Sequence, residues 1–271
     1  MDWIALADPW LRAEAETDAA HAPALHGMLE RARLEPGQKV LDIGPGGGIS
    51  LIHAAAAVGA RGHVTGIEIA PPFADRARAR TGDNVSVVVG DAQTHPFEPG
   101  VHDTVISMFG VMFFADTGAA FANIRRAAKP GGRLSFCCWA GPEHNPWFSL
   151  PGRMATEVFG PGHAFDPDGP GPMRFADSAA LAALLRDAGW QAEVETVDLR
   201  LTPIGSPDDV AEMQMTIGAA GQRIGRARDA GTLTQDHLDT LRARMRAGFA
   251  EMVEDNAVRV PARIHFVTAI A

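Results

Sequence analysis

The chain of 271 residues is long enough for one large domain, and its hydrophobic fraction of 46% is ample for a packed core. A net charge of −9 argues against a nucleic-acid partner, whose phosphates would be matched by excess Lys and Arg, and the lack of tyrosine excludes any mechanism that uses a phenol side chain. No apolar run reaches the roughly 18 residues of a membrane span, and the N-terminus lacks the basic and apolar regions of a signal peptide.

The first predicted unit, residues 1–34, is helical. Its opening stretch DWIALADPWLRAEAE holds Trp3 and Trp10 ahead of the first strand. We expect this unit to form a lid over a ligand site, although a helix packed elsewhere on the fold fits the pattern equally well.

In the second predicted unit, residues 35–140, short apolar and β-branched runs alternate with helical patterns. This alternation indicates a parallel sheet covered by helices on both faces. The adjacent Cys137 and Cys138 point to opposite faces of the last of these strands, which disfavours a disulfide between them and fits a reducing cytoplasm. The five predicted strands are KVLDI (39–43), HVTGIEI (63–69), NVSVVV (84–89), DTVISMF (103–109) and RLSFCCW (133–139).

The third predicted unit, residues 141–271, combines a cap, a helical insertion and the terminal strands of the sheet. Residues 141–172 are rich in Pro and Gly and form a long loop segment, of a kind that is usually functional or mobile, and a helical cap is expected over 141–175 and 207–253. The patterns that follow predict a helix over 177–189, a strand over 193–201, two amphipathic helices filling 207–253 and a closing strand over 263–271.

The stretch VLDIGPGGGIS (40–50) ends a strand in glycines just before a helix, which brings a ligand close to backbone amides at the helix N-terminus. A dinucleotide is disfavoured, because Ile49 is too large for the third small position of that fingerprint and Asp42 would repel a pyrophosphate. A phosphate-binding P-loop is excluded because no Lys-Ser/Thr follows the glycines. Asp42 suits a cationic ligand group, and the loop therefore points to S-adenosylmethionine.

Two further acids support this interpretation. Glu68 ends the second predicted strand, where a carboxylate can accept both ribose hydroxyls of an adenosine. Asp91 follows the third strand, where an acid or its neighbouring amides can recognise the adenine amino group. Three acids at successive strand ends, together with the glycine loop, are a strong combined signal.

These segments resemble, in order and spacing, the motifs of class I S-adenosylmethionine-dependent methyltransferases. The matching segments are VLDIGPGGG, VTGIEIA, GDAQTHPF, HDTVISMFGVMFF and AAKPGGRLSF. The nearest resemblance is to small-molecule enzymes of the ubiquinone and menaquinone biosynthesis type, over about residues 35–140. It implies a doubly wound, seven-stranded Rossmann-like α/β sheet with the last strand antiparallel and a helical cap.

The resemblance also assigns cofactor-binding roles to individual residues, with S-adenosylhomocysteine as the product. Glu68 would bind the ribose, Ile69 would pack on the adenine, and Asp91 with Ala92 would face the adenine edge. Ser107 and Met108 would lie beside the sulfonium. The methionine end would be held by Asp42, Gly44, Pro45 and Gly46.

The acceptor side carries weaker signals. Many quinone-pathway relatives have a His pair after the fourth strand, where this chain has Met112 and Phe113, so an obvious base is missing and the pocket floor is apolar. His144, just after the fifth strand, is the candidate catalytic residue, and a solvated loop histidine is the alternative. No cluster of residues has metal-ligand spacing, so we expect no metal site. An acceptor pocket, or plain core packing, is predicted for Met112, Phe113, Trp139, Asn145, Trp147 and Met213.

The sequence therefore predicts methyl transfer from S-adenosylmethionine to a small, partly apolar metabolite, by in-line displacement driven mainly by positioning. Two alternatives stay open: a non-methyl transfer, such as aminopropyl transfer, from the same type of cofactor, and a non-catalytic cofactor-binding protein. The expected setting is the cytoplasm, with a small-molecule acceptor as partner and a homodimer left open.

Overall fold

A seven-stranded sheet organises the structure, a computed structural model that describes residues 2–162 and 169–271. Strands β1 to β5 pair in parallel, and β9 runs antiparallel to both of its neighbours. The predicted doubly wound sheet with an antiparallel last strand is thereby confirmed. The strands, in the order in which they lie across the sheet, are β3 (Val85–Val89), β2 (His63–Glu68), β1 (Lys39–Ile43), β4 (His102–Met108), β5 (Ala128–Trp139), β9 (Val260–Ile270) and β6 (Gln191–Leu201).

Strand β1 lies at the point where the strand order reverses, with β2 on one side and β4 on the other. Residues 40–43 are all buried, as expected for a central strand covered on both faces. The connections that leave β1 and β4 run in opposite directions from this point, which leaves a crevice at the carboxyl ends of the strands. This crevice is where the sequence-predicted cofactor residues converge.

Helices cover both faces of the sheet. Ser135 of β5 donates a hydrogen bond to the Met28 carbonyl of the second helix, whereas the next residue, Phe136, stacks on Phe121 of the fifth helix. Adjacent residues of one strand thus face opposite layers. The helices of the first layer are α1 (Trp3–Arg12), α2 (Glu14–Ala32), α3 (Ile49–Val58) and α4 (Pro71–Arg80), and those of the second are α5 (Thr117–Ala127) and α7 (Ser178–Asp187).

The two N-terminal helices pack differently. Helix α2 lies along the sheet against β4, β5, β6 and β9, whereas α1 packs on α4, where Trp3 meets Phe73 edge to face at 6.4 Å. At the start of α2, Glu14 forms ion pairs with Arg76 and Arg80 of α4 at 2.6 and 2.8 Å. These contacts tie the N-terminal segment to the helix that follows β2.

The helical cap expected over 141–175 contains helix α6 (Pro146–Phe159), which lies inside the Pro- and Gly-rich segment 141–172 and whose bounds the sequence analysis did not give. Pro146 occupies the first turn, where a missing N–H costs nothing, and Trp147, Leu150 and Ala155 form a buried face at helical spacing. The Pro and Gly content concealed this periodicity. Residues 163–168 of the same segment lie outside the described ranges.

Three helices, rather than the two predicted, fill most of 207–253. They are α8 (Pro207–Thr216), α9 (Gly218–Asp229) and α10 (Gln235–Ala250). The break between α8 and α9 falls where Ile217 is extended and Gly218 adopts a φ of 66°, a conformation that glycine allows and that redirects the chain. The three helices pack on one another, and α6 packs on α9 and α10. A two-strand hairpin follows, β7 (Val253–Glu254) with β8 (Ala257–Val258).

Two sequence-based expectations concern the environment of the protein. Among the described helices, none is both long and apolar enough to cross a membrane. Cys137 and Cys138 are both free and fully buried in β5. Burial raises the pKa of both thiols, so they behave as small core side chains.

Candidate active site

The glycine loop between β1 and α3 follows a tight path with open space at its centre. A Cβ added to Gly44 would lie 3.1 Å from the Gly110 Cα, so the loop passes close to the chain that leaves β4. At Gly46, φ is 55°, and apart from the adjoining residues of the loop no atom of the described residues lies within 4 Å of an added Cβ. The loop therefore offers unobstructed backbone at Gly46, which is the property that a ligand-cradling loop requires.

Asp42, at the end of β1, is a fully buried acid with unused hydrogen-bonding capacity. Neither of its carboxylate oxygens has a partner within residues 2–162 and 169–271. Burial raises the pKa of Asp42 to about 7, the Ser50 hydroxyl beside the carboxylate opposes this without completing a hydrogen bond, and the nearby Glu68 carboxylate adds to the rise. A buried acid of this kind favours a ligand group that brings a positive charge or a hydrogen-bond donor.

Glu68, at the end of β2, reaches across to the glycine loop. Its Oε2 accepts a hydrogen bond from the Gly46 N–H at 3.0 Å, and its Oε1 accepts one from the Ala70 N–H at 3.0 Å. Burial raises the pKa of this carboxyl, and the backbone donors oppose that shift. Glu68 thus holds the loop against the end of β2, at the edge where the predicted ribose contact lies.

The remaining cofactor-binding candidates lie around the same strand ends. Ile69, after β2, is 50% exposed, an unusual state for a large apolar side chain beside a core strand. The Asp91 carboxylate accepts hydrogen bonds from the backbone and side-chain nitrogens of Gln93, so it shapes its own turn, and Ala92 beside it is buried. Pro45 is buried next to Gly66 of β2.

Ser107 and Met108 close the site on the β4 side. The Ser107 hydroxyl donates to the Ile43 carbonyl at 2.7 Å and so ties the end of β4 to the end of β1. Met108 is half-buried. Phe109 follows at a φ of 61°, a strained conformation for a bulky residue, and residues held in this way cluster at functional sites.

Two of the predicted acceptor residues, Trp139 and Trp147, come together with residues that the sequence analysis did not single out. The Trp139 ring stacks on Phe109 with centroids 4.5 Å apart and an interplanar angle of 6°. His21 of α2 lies edge to face against Phe109, Trp139 and Trp147, with centroid distances of 5.5, 5.6 and 5.4 Å. We call these four residues the aromatic cluster.

The other three apolar acceptor candidates, Met112, Phe113 and Met213, differ in their surroundings. Met112 is buried in the core, whereas Phe113 is half-buried and meets Trp3 of α1 edge to face at 4.8 Å. Met213 is buried in α8, beside Gln214, whose Nε2 is buried without a partner in the described structure. The first helix of the chain therefore covers the segment that follows β4.

The geometry gives no support to acceptor roles for His144 and Asn145. Asn145 is fully buried, its amide donates to the carbonyls of Ala140, Gly141 and Arg263, and its Oδ1 accepts from the Arg263 N–H, so its side chain is used by the fold. The half-exposed His144 has its Nε2 3.0 Å from Arg263, which pairs with Asp198. The strands that carry those two residues, β9 and β6, lie beyond β5 and away from the switch point.

Sequence reasoning missed His21 and Phe109 for identifiable reasons. His21 and His26 lie five residues apart in the same helical pattern. The pattern alone does not show that His21 is buried and His26 exposed. Phe109 ends a predicted strand, and its positive φ leaves no trace in composition. No cluster of three metal-ligating side chains occurs in the residues described, and the donor groups at the strand ends are those of an organic ligand site.

The fold is a doubly wound sheet, and its strand ends carry a buried acid, an open glycine loop and a second acid. Together these features define a Rossmann-like nucleoside-binding protein. A model of the methyltransferase domain family matches residues 41–136. The chain is 31% identical over 170 residues to the demethylmenaquinone methyltransferase of Mycolicibacterium vanbaalenii. The aligned region covers 59% of this chain and 72% of that protein. The chain therefore belongs to the family of S-adenosylmethionine-dependent methyltransferases.

Two further similarities extend this finding. The chain is 38% identical over 104 residues to the aklanonic acid methyltransferase DauC of Streptomyces sp. strain C5, covering 37% of this chain and 47% of that protein. The crystal structure of the YcgJ protein from Bacillus subtilis shares the fold, with a TM-score of 0.59 at 17% identity over 92% of this chain and 98% of that one. The chain spans about half the length of several curated relatives that it matches.

Proposed function

We propose that this protein transfers a methyl group from S-adenosylmethionine to a small, partly apolar metabolite. The observation that carries the proposal is Asp42, fully buried at the switch point with both carboxylate oxygens unpartnered among the described residues, beside the open backbone of Gly46. A buried acid and a bare loop at this edge fit the cationic amino-acid end of that cofactor. The family membership supports the same assignment.

The residues present fit the rest of the cofactor as well. In the proposed complex, Glu68 accepts the ribose hydroxyls, Ile69 packs its exposed side chain on the adenine, and the turn at Asp91 and Ala92 borders the adenine edge. Ser107 and Met108 border the sulfur. When bound, S-adenosylmethionine supplies a methyl group on a positively charged sulfur, which is a good leaving group.

On the acceptor side, the chain's contribution is positioning. Alignment of two bound reactants contributes on the order of 7–11 kcal/mol to lowering a barrier. The ring of Phe109, next to Met108 at the end of β4, packs with those of Trp139, His21 and Trp147 in a largely buried apolar cluster. An apolar setting of this kind suits a small acceptor that is at least partly apolar.

One experiment separates this proposal from its alternatives. The protein is incubated with methyl-labelled S-adenosylmethionine and a panel of small hydroxylated and amino compounds, and both products are analysed. Methyl transfer gives labelled acceptor and S-adenosylhomocysteine, whereas aminopropyl transfer, tested in a parallel incubation with the decarboxylated cofactor, gives labelled 5′-methylthioadenosine. Cofactor binding without turnover across the panel would favour a non-catalytic binding protein.

The proposal places the protein in the cytoplasm, where the free thiols of Cys137 and Cys138 stay reduced. Fractionation of cells that express the chain tests that location. Light scattering of the purified protein decides between a monomer and a homodimer.

A further inference from the structure

His21 is a buried histidine with one unused ring nitrogen. It is only 7% exposed, and its Nε2 has no hydrogen-bond partner in the part of the chain that the structure describes. The other nitrogen bonds to the backbone of Thr17. Since the Thr17 N–H already donates to the Ala13 carbonyl at 2.9 Å, the Thr17 carbonyl is the acceptor. Nδ1 therefore carries the proton, and Nε2 presents a free lone pair.

The surroundings of this lone pair are aromatic and uncharged. The rings of Phe109, Trp139 and Trp147 all lie within 5.6 Å of the imidazole centroid. Burial lowers the pKa of His21 to about 4, and no neighbouring charge contributes to that shift. Leaving a buried polar atom unpaired is costly, so an unpaired nitrogen in this setting needs an explanation, and a ligand hydrogen bond supplies one.

Helix α2 links this nitrogen to the cofactor side of the site. Glu14 lies seven residues before His21, and so on the same helix face about 10 Å away. It lies against the glycine loop, with its Oε1 in the space that a Cβ added to Gly47 would occupy. On the other side, Phe109 is followed by Gly110, whose backbone touches Gly44. The aromatic cluster therefore adjoins the glycine loop along both α2 and β4.

We propose that His21 Nε2 binds and deprotonates a hydroxyl on a flat, unsaturated ring that seats among the side chains of the aromatic cluster. The acceptor is then a phenol or an enol, and the product is its methyl ether. This assignment rests on the proposed function and names the acceptor class of that same site. Phe109, at a φ of 61°, is the partly exposed ring of the cluster, whose other three members are buried, so the acceptor would reach His21 past its side chain.

The reaction balances with these groups alone. As the acceptor oxygen forms its bond to the methyl carbon, the carbon–sulfur electron pair returns to sulfur and the hydroxyl proton passes to Nε2. The charge of the sulfonium is thereby replaced by that of the imidazolium, which gives its proton to water when the products leave. An alkylamine acceptor is disfavoured, because it is cationic near pH 7 and no carboxylate contributes to the pKa shift of His21.

The test uses 2-naphthol as the probe and naphthalene as the matched compound without the hydroxyl. Binding of each to the full chain saturated with S-adenosylhomocysteine is measured by calorimetry for the wild type, His21→Phe and His21→Gln. His26→Phe, on the same helix at an exposed position, is the control. Methyl transfer to 2-naphthol is followed with labelled S-adenosylmethionine, and thermal unfolding confirms that each variant folds.

The wild type should bind 2-naphthol about tenfold more tightly than naphthalene, and His21→Phe should lose this preference. His21→Gln, whose amide oxygen still accepts a hydrogen bond, should retain part of the preference but lose turnover by about 100-fold or more. Added imidazole should restore part of the turnover of a further variant, His21→Ala, whose smaller side chain leaves room for it, and His26→Phe should behave as the wild type.

Two results would overturn the assignment: no binding of 2-naphthol to the wild type, or equal preference for it in His21→Phe. If S-adenosylhomocysteine still binds in that case, only the role of His21 fails and the proposed function stands. If the wild type does not bind S-adenosylhomocysteine at all, the proposed function itself fails and the role of His21 fails with it.

Discussion

Glu68 and Gly46 are joined by a hydrogen bond of 3.0 Å from the Gly46 N–H to Oε2, across the gap between the end of β2 and the glycine loop. The other oxygen of the same carboxylate accepts from the Ala70 N–H. One side chain therefore sets the position of the loop and presents a carboxylate at the proposed ribose edge. Its removal is expected to affect ligand affinity through both effects.

The first prediction concerns Glu68→Gln. The amide keeps the shape of the side chain but has one acceptor oxygen in place of two and carries no charge. S-adenosylhomocysteine should therefore bind 10- to 100-fold more weakly, which is a loss of about 1.5–3 kcal/mol in binding free energy. Calorimetry on the folded variant measures this, with Glu193→Gln on the distant edge strand β6 as the control. Unchanged affinity would place the ribose elsewhere.

The second prediction compares Gly46→Ala with Gly100→Ala. Both glycines have positive φ, 55° and 67°, and neither has an atom within 4 Å of an added Cβ. Each alanine should therefore cost a similar amount of folding stability, on the order of 1–2 kcal/mol, from backbone strain alone. Only Gly46→Ala should also weaken cofactor binding, because the added methyl group projects into the space reserved for the ligand.

Thermal unfolding and calorimetry on the two variants separate these effects. A Gly46→Ala protein that binds S-adenosylhomocysteine as tightly as Gly100→Ala does would show that the loop does not cradle the cofactor.

The third prediction links cofactor binding to a proton at Asp42. The folded-state pKa of about 7 leaves this acid partly protonated at neutral pH, and a cationic ligand group binds the ionised form. Affinity for S-adenosylhomocysteine should therefore rise as pH increases toward 7 and level off above it, with a proton released on binding below that pH. Calorimetry in buffers of different ionisation enthalpy measures the release, and Asp42→Asn should abolish it.

The fourth prediction concerns Arg80, which joins three elements. Its guanidinium donates to the Gly47 carbonyl at 3.1 Å, pairs with Glu14 at 2.8 Å and donates to Asp18 at 2.8 Å, with only 19% of the side chain exposed. Arg80→Met keeps the length of the side chain but leaves the partly buried Asp18 without its cation, and Glu14 keeps only its ion pair with Arg76. The unfolding free energy should fall by about 2–4 kcal/mol.

Cofactor affinity should fall in Arg80→Met too, since the loop loses an anchor at Gly47. Arg78→Met is the control, because Arg78 lies in the same helix but pairs with Asp75 at an exposed position. Equal losses of stability in the two variants would contradict the role given to Arg80.

Much of the cofactor side could be predicted from the sequence because its signals are local. A strand that runs into glycines, with acids at two further strand ends, depends on chain order and strand polarity, and parallel pairing brings such ends to one edge. The doubly wound sheet could be predicted for the same reason. Asp42 and Glu68 lie at the ends of β1 and β2, and Gly46 lies in the loop after β1, as the sequence predicts.

The acceptor side could not be predicted because its determinants are not local. His21 and Trp139 are separated by more than one hundred residues, and they meet only because α2 packs along β5. Helix α6, which supplies Trp147, was hidden by its Pro and Gly content. His144 and Asn145 were favoured by their position after β5, but their side chains are engaged by Arg263 of β9.

The last prediction tests whether His21 is buried, through the pH dependence of the unfolding free energy. The pKa of His21 is lowered from 6.5 in the unfolded chain to about 4 in the fold, so the unfolded state binds more protons between these values. The stability due to neutral His21 is fully present above pH 6.5 and is lost progressively as pH falls to about 4, by about 3 kcal/mol in all. Urea unfolding from pH 7.5 to 4.5 measures this loss.

In His21→Phe the loss of stability due to His21 should disappear. The unfolding free energy should therefore fall less between pH 7 and pH 5 in this variant than in the wild type. Asp42 acts in the opposite direction, because its pKa is raised: its contribution is largest at low pH and is lost as pH rises through about 7. Asp42→Asn should therefore steepen the decline of stability below neutral pH. An identical pH profile in the wild type and His21→Phe would mean that His21 is open to water in solution, and the proposed acceptor pocket would lose its buried base.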